Sequence, residues 1–550
     1  MDRRAVSHVG PLTGIEHVDV GPVLLLFWPL ALVSAGHAPR CRVGQNHAQV
    51  QAAGFVGHNH RISIAEAPIG SVRGMQGNRG GRLVRRHLRD VAEAAVTAPR
   101  NRCNPGKHEV AGPQKRARVA AGEQLRRGAG VPSIRAQCVG VTVGERIEMA
   151  NDRLWWERED LCYREGRLHL GGRALESFVM EAGTPTFVYR AARVRDNLQR
   201  LRAALASHGV EHDAFYAIKA NRYAPLVTYL KLLGRCGIDA CSPAELCYAR
   251  QVGFEEAEIS YTGTSVSDSD LDCLQRHPGV HVNCDSISTI RRLGKRCPGR
   301  RIGIRFNPEL GAGYNDMMRY AGEKATKFGI YRDRFEEAIA VASAAGMRVE
   351  AMHFHFGSGY IGDAVEVLDR VLERVGVLLD AHPEIRTLNI GGGLGVRLAE
   401  ADVAIDLERW AAIVARHVVR RGLRVQVEPG DYLLKDAGVL LVRVNTVEQK
   451  AGTRFVGIDA GFNIQNLAAY YKTPFIVAPL SRVAGAPLGR VTIAGNINEA
   501  IDLLAEDVEL PALAEGDLLA LLNVGGYGSS SSSNHCMRGE FREYLLLDEV

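Results

Sequence analysis

The stretch Phe215-Tyr216-Ala217-Ile218-Lys219-Ala220-Asn221 reads as a strand that ends on a lysine. The apolar run 214–218 would hold the stem of Lys219, and the amine would emerge at the strand's C-terminal end. Burial there is expected to lower its pKa and free a nucleophilic amine, as a lysine that forms a Schiff base requires. A lysine snorkelling from a strand end is the plain alternative.

Outward from this stretch, short apolar runs alternate with amphipathic helical ones. Residues 187–189 precede it as a strand. Residues 191–208 follow as a helix with Val194, Leu198, Leu201 and Leu205 on one face. Beyond Lys219 come helix 224–233, strand 237–240 and helix 243–252. Strands follow at 259–262, 280–284, 302–306, 351–356, 387–390 and 425–427, with helices such as 334–345 and 364–379 between most of them. Repeated βα units over about 240 residues predict an α/β fold, a (β/α)8 barrel whose chemistry sits at the C-terminal strand ends. After Gly430 the pattern becomes strand-like with turns, at 439–447, 454–459, 490–494, 517–524 and 543–547. This predicts a C-terminal β-rich domain, barrel- or sandwich-like, to which 161–170 adds a strand. The expected division is 149–185 joining the β domain, 186–430 as the barrel and 431–550 as the β domain.

The first 148 residues read differently. They hold 21 Lys and Arg against 10 Asp and Glu, whereas the remainder holds 47 against 52. The excess positive charge therefore lies outside the body, which gives no basis for nucleic-acid binding. Neither helical nor strand periodicity is visible there, and a non-native or disordered extension ahead of Met149 is expected. The apolar run 23–33 is interrupted by Pro29 and is too short to span a bilayer. Eleven cysteines without a CxxC pair fit reduced thiols and a cytoplasmic protein.

Four features fall at barrel strand ends. Lys219 is the first. The second is His353-Phe354-His355-Phe356-Gly357-Ser358-Gly359. On a strand the two histidines would point the same way, yet no carboxylate or cysteine accompanies them at ligand spacing, and no metal is expected. The Gly-Ser-Gly that follows suits an anion better. The third, Gly391-Gly392-Gly393, lets backbone amides approach a phosphate closely. The fourth, Glu428-Pro429-Gly430, places a carboxylate at the last strand's end. A buried Glu needs a partner, and a protonated pyridinium nitrogen would supply one. Together these describe a pyridoxal phosphate (PLP) site.

From about residue 155 onward the chain resembles the fold-type III PLP-dependent decarboxylases, the diaminopimelate, ornithine and arginine decarboxylase group. Tyr216-Ala217-Ile218-Lys219-Ala220-Asn221 is similar to the family's cofactor-lysine motif, and Asp239-Ala240-Cys241-Ser242 to its second active-site strand. Lys327-Phe328-Gly329-Ile330, His355-Phe356-Gly357-Ser358, Asp459-Ala460-Gly461 and Gly525-Gly526-Tyr527-Gly528 follow in family order. The resemblance implies that Lys219 binds PLP and that His355 stacks on its ring. Ser358, the amides of Gly391, Gly392 and Gly393, and Tyr527 would hold the phosphate, with Glu428 on the ring nitrogen. Asp239 and Arg305 join the cofactor shell by the same resemblance. It implies an amino-acid decarboxylase and a homodimer whose sites combine residues of both chains.

The departures lie on the substrate side. Asp431 stands where the family has an arginine after Glu-Pro-Gly. Leu467 aligns with a second arginine of diaminopimelate decarboxylases. Asn498 replaces the catalytic cysteine beside Glu499, leaving Cys536 as a substitute proton donor or a buried structural thiol. Lys472, after Tyr471, stands where ornithine decarboxylases carry an Asp. Replacing a fork-shaped cation with an acid is not conservative. The expected substrate shell is Asp431, Tyr471, Lys472, Asn498 and Glu499. The reading is a diaminopimelate-decarboxylase-like enzyme with altered substrate contacts. True diaminopimelate decarboxylase, a racemase and a non-catalytic PLP carrier are its alternatives.

Overall fold

Eight parallel strands close into a barrel in the computed structural model, which describes residues 153–322, 324–482 and 486–548. The expectations for residues 1–148 lie outside the described residues. Three short strands come first, β1 (Leu161–Arg164), β2 (Arg167–Leu170) and β3 (Arg173–Ala174), followed by β4 (Thr186–Arg190). The barrel strands are β5 (His212–Ala217), β6 (Gly237–Ala240), β7 (Ile259–Tyr261), β8 (His281–Cys284), β9 (Arg301–Arg305), β10 (Arg348–His353), β11 (Thr387–Asn389) and β12 (Arg424–Val427). They pair in chain order, and β12 closes on β5 through Val427 opposite Ala214.

Local chemistry explains the alternation. The helix Pro243–Val252 starts where the Ser242 hydroxyl accepts the Glu245 amide at 3.2 Å, with Pro243 in its first turn, and stops at Gly253 (φ +103). Its buried face, Leu246 and Ala249, joins a core that also takes Tyr216 and Ile238 from the strands and Leu230 from the preceding helix. Covered on the outside by helices, the strands turn a second set of side chains inward. Those of Asp239, Ser260, Asn283, His353, Asn389 and Gln426 are polar and buried.

The second sheet runs β15 (Val477–Pro479), β18 (Leu518–Leu522), β13 (Gly438–Lys450), β14 (Thr453–Ile458), β16 (Leu488–Ala494) and β17 (Leu503–Pro511). β4 pairs with β13 and with β19 (Arg542–Leu546), so the strand at 187–189, expected at the start of the barrel, lies in this sheet instead. Its pairing with Gly438–Leu441 decides the matter, because the barrel is already full with eight strands. β1–β3 form a three-stranded sheet of their own, tied to residues 480–482 after β15 by the Leu168 amide donating to the Leu480 carbonyl at 2.9 Å and the Arg482 amide to the Gly166 carbonyl at 2.7 Å. They pack on the second one through a core of Leu161, Leu168, Leu170, Val439, Leu441 and Leu480. Among the described residues no helix is long and apolar enough to cross a membrane.

Candidate active site

Lys219 follows β5 in a single tight turn, Ile218–Ala220. Its side chain is 41% exposed at the C-terminal mouth of the barrel, with the amine 3.1 Å from Asp239 Oδ2 and 3.4 Å from Cys241 Sγ. The expected depression of its pKa is not what the geometry gives. Burial pulls it down, but the charge of Asp239 and its neighbours outweighs that and raises it well above the usual lysine value. Asp239 itself is pushed upward, first by burial and then by the nearby Glu428 charge.

Glu428, at the end of β12, is 7% exposed and held from three sides. The Asn389 amide donates to Oε1 at 2.7 Å and the Ser260 hydroxyl to the same oxygen at 3.2 Å, while His353 Nε2 lies 3.1 Å from Oε2. Burial alone would raise its pKa; His353, Lys219 and Asn389 overcome this and hold it below the ordinary carboxylate range. The protein therefore supplies partners of its own to this carboxylate. Asn283 extends the network by donating to Ser260 Oγ at 3.2 Å and Thr262 Oγ1 at 3.0 Å.

His353 and His355 do not share a strand face. β10 ends at His353, and His355 lies in the loop beyond it, half-buried, its ring 5.1 Å from that of Tyr320. Burial and the nearby Lys219 and Arg305 charges depress its pKa, so the ring is neutral. Its Nδ1 has no hydrogen-bond partner among the described residues. Arg305, at the end of β9, is buried with its guanidinium 4.7 Å over the Phe328 ring. The Lys327–Ile330 segment is tied alongside by the Ile330 amide donating to the Arg305 carbonyl at 2.7 Å.

The glycines after β11 are required by close approach. A Cβ on Gly392 would lie 2.1 Å from the Glu428 carbonyl oxygen, and one on Gly393 (φ +100) 2.1 Å from that of Gly357. Among the described residues the Gly392 and Gly393 amides donate to no carbonyl. Beside them, Ser358 is buried and its amide is spent on the Met318 carbonyl. From the second domain the loop 525–533 folds over the mouth. The Tyr527 amide donates to the Ala220 carbonyl at 2.7 Å, and Ser530 Oγ to the Lys219 carbonyl at 2.8 Å. A cavity of about 990 Å³ opens at the opposite end of the barrel, lined by Arg202, Asp213, Gly237, Arg301 and Arg424; of the groups above only Asn283 reaches it.

A phosphorylated pyridine aldehyde needs an amine, an anionic partner for its ring nitrogen and a cradle for its phosphate. The Lys219 amine at the mouth, the ionised Glu428 and the turn with the unspent Gly392 and Gly393 amides fit those needs. Residues 191–435 match the family model described as pyridoxal-dependent decarboxylase, pyridoxal binding domain. Diaminopimelate decarboxylase of Methanothermobacter thermautotrophicus is 34% identical over 399 residues, covering 70% of this chain and 91% of that protein. The chain belongs to the pyridoxal-dependent decarboxylases. The diaminopimelate decarboxylase of Pseudomonas fluorescens is 32% identical over 395 residues, covering 70% and 92% of the two chains. The solved diaminopimelate decarboxylase of M. jannaschii, in co-complex with L-lysine, superposes with a TM-score of 0.64. It is 26% identical, covering 71% of this chain and 93% of that one. This decarboxylase is thus a PLP-dependent carboxy-lyase.

The expected substrate-side residues are dispersed. Asp431 is buried at 4% exposure, with Lys435 3.3 Å away and its charge felt by Tyr320 and Tyr527. Leu467 is buried in the core of the second domain. Lys472 is exposed at a helix end (φ +52), and Tyr471 gives its carbonyl to Asn315 at 2.6 Å. Asn498 and Glu499 lie exposed in the loop before β17, and the Glu499 carboxylate lies 3.2 Å from His535 Nε2. Cys536 is exposed, which corrects its reading as a buried structural thiol.

Sequence reading passed over four groups at the mouth, Ser260, Asn283, Tyr320 and Asn389. Asn389 stands directly before the glycine run, and its polar side chain inside an apolar strand was the available signal.

Proposed function

We propose that this decarboxylase acts on an amino acid or derivative whose distal end differs from the free amino-carboxylate end of meso-diaminopimelate. The observation that carries this is the pair Asp431 and Leu467. Both are buried and neither is a cation, so the two arginines that the family resemblance leads one to expect have no counterpart at these positions. A distal carboxylate left without a fork-shaped partner loses a charge-assisted contact worth about 1.5–3 kcal/mol.

In this reading Lys219 binds the cofactor, Glu428 faces its ring nitrogen and His355 lies against its ring. The Gly392 and Gly393 amides with Ser358, Tyr527 and Arg305 surround its phosphate side, whereas the Gly391 amide is donated to Asn389 Oδ1 at 2.9 Å. Bound pyridoxal phosphate supplies an electron sink for the pair left when carbon dioxide departs. Glu428, kept ionised by His353 and Asn389, holds positive charge on that sink. Asp239, whose affinity for a proton is raised, stands 3.1 Å from the Lys219 amine as a proton acceptor. Glu499 and Cys536 are assigned to the substrate end and to reprotonation, acting from a second copy of the chain. The exposed apolar side chains Tyr470, Ile501 and Met537, on the same segments, support a partner covering that face. Eight free cysteines among the described residues support a reducing, cytoplasmic setting.

A panel of amino acids assayed for carbon dioxide release at saturating PLP tests the substrate. Another amino acid is expected to exceed meso-diaminopimelate in kcat/KM by at least tenfold. The named relatives favour a second reading, diaminopimelate decarboxylase itself, and meso-diaminopimelate as the best substrate would establish it.

A further inference from the structure

On the outer surface of the barrel, Cys247, Cys273 and His277 place one ligand atom each within 4.8 Å of one another. Cys247 lies on the helix Pro243–Val252. Cys273 lies on the next helix, Asp268–Arg276, which His277 caps four residues later, so the last two share a helix face. We propose that these three residues bind a soft divalent ion of zinc chemistry.

Two thiolates and an imidazole form a donor set suited to such an ion. Tetrahedral bonds of about 2.3 Å to sulfur hold ligands roughly 3.7 Å apart, so closure asks for at most about 1 Å of side-chain movement. A separate feature prepares the histidine. Its Nδ1 lies 2.9 Å from Glu256 Oε1, and the other oxygen of Glu256 accepts the Gly279 amide at 2.8 Å. An Nδ1–H donated to an anchored carboxylate leaves the lone pair on Nε2, the arrangement found behind metal-bound histidines. Binding exchanges two thiol protons for one divalent cation, and the fourth position, beside the exposed Cys247, is open to water.

The ion would bridge two neighbouring helices at a point tied to the active site. The first of them begins directly after Cys241, whose sulfur faces Lys219, and its Glu245 accepts the Cys241 amide at 2.7 Å. Metal occupancy therefore pins the support of the strand end that carries Asp239.

The test uses the untagged, PLP-loaded, fully reduced protein, titrated with Zn2+ against a chromophoric chelator and in parallel with Co2+. One equivalent per chain is expected, with a tetrahedral cobalt spectrum bearing a thiolate charge-transfer band. Cys247→Ser and His277→Ala should each weaken binding at least tenfold, and Glu256→Gln by about tenfold. Cys162→Ser should not change it. Retained cofactor absorbance reports that each variant is folded. Absence of saturable binding, an octahedral cobalt spectrum, or unchanged affinity in Cys247→Ser and His277→Ala overturns the proposal.

Discussion

At the barrel mouth Glu428 receives hydrogen bonds from two strands and faces a histidine from a third, all within a shell that excludes solvent. Glu499, on the second domain, meets one histidine, and both are about half exposed. The two carboxylates belong to regions under different constraints. A buried charge without partners is so unfavourable that its surroundings must be fully specified, and the partners of Glu428 accordingly come from its own chain. The substrate side tolerates exposure and is left open for whatever covers it.

The largest break in this contrast comes from Lys219. Lys219→Ala should lose the absorbance of bound PLP and lower kcat by about a thousandfold or more, read on dialysed and reconstituted protein. A variant that kept the absorbance would show that the cofactor rests on another residue.

Next in size is Glu428→Gln, with kcat down by about 10²–10³-fold while the protein still binds PLP. This variant also carries a pH signature. The folded-state pKa of Glu428 is depressed, so its stabilisation is present above the ordinary carboxylate pKa and lost as pH falls through the lowered value. Urea midpoints should fall on acidification in the parent, and less steeply in Glu428→Gln. Equal slopes would remove Glu428 from the account.

Cys536→Ser probes the open side. As proton donor its loss should cost about a hundredfold in kcat, with PLP affinity unchanged. Mixing it with Lys219→Ala protein should restore activity if each site draws on two chains. The smallest effect is expected from Gly392→Ala, where a Cβ 2.1 Å from the Glu428 carbonyl oxygen forces the turn apart. A loss of about 1–3 kcal/mol in stability, measured by thermal unfolding, follows from overpacking.

The same contrast explains what could be read from sequence. Helices 224–233 and 243–252 were visible to the residue because Pro and Gly mark their ends, and the barrel followed from the repeat. Glu428 and the glycine run were legible because burial at strand ends restricts which residues fit, and Lys219 because it ends an apolar run. The strand at 187–189 misled because a short apolar run carries no mark of which sheet it joins; only its pairing with 438–441 assigns it. The rise in the Lys219 pKa was hidden as well, since it depends on Asp239, twenty residues away along the chain. Asp431 and Cys536 could be flagged as departures, but burial of one and exposure of the other are tertiary facts.

The position of β4 has a consequence for how the chain is made. This strand is synthesised before any barrel strand, yet both of its partners, β13 and β19, come after the barrel. While the ribosome adds some 250 residues, β4 waits with both edges unpaired, an open template for intermolecular strand addition. Release of the C-terminus lets β19 cover one of those edges. A chain cut short before Arg542 would keep a full barrel and a permanently exposed edge, and would be lost to aggregation rather than to a missing catalytic group.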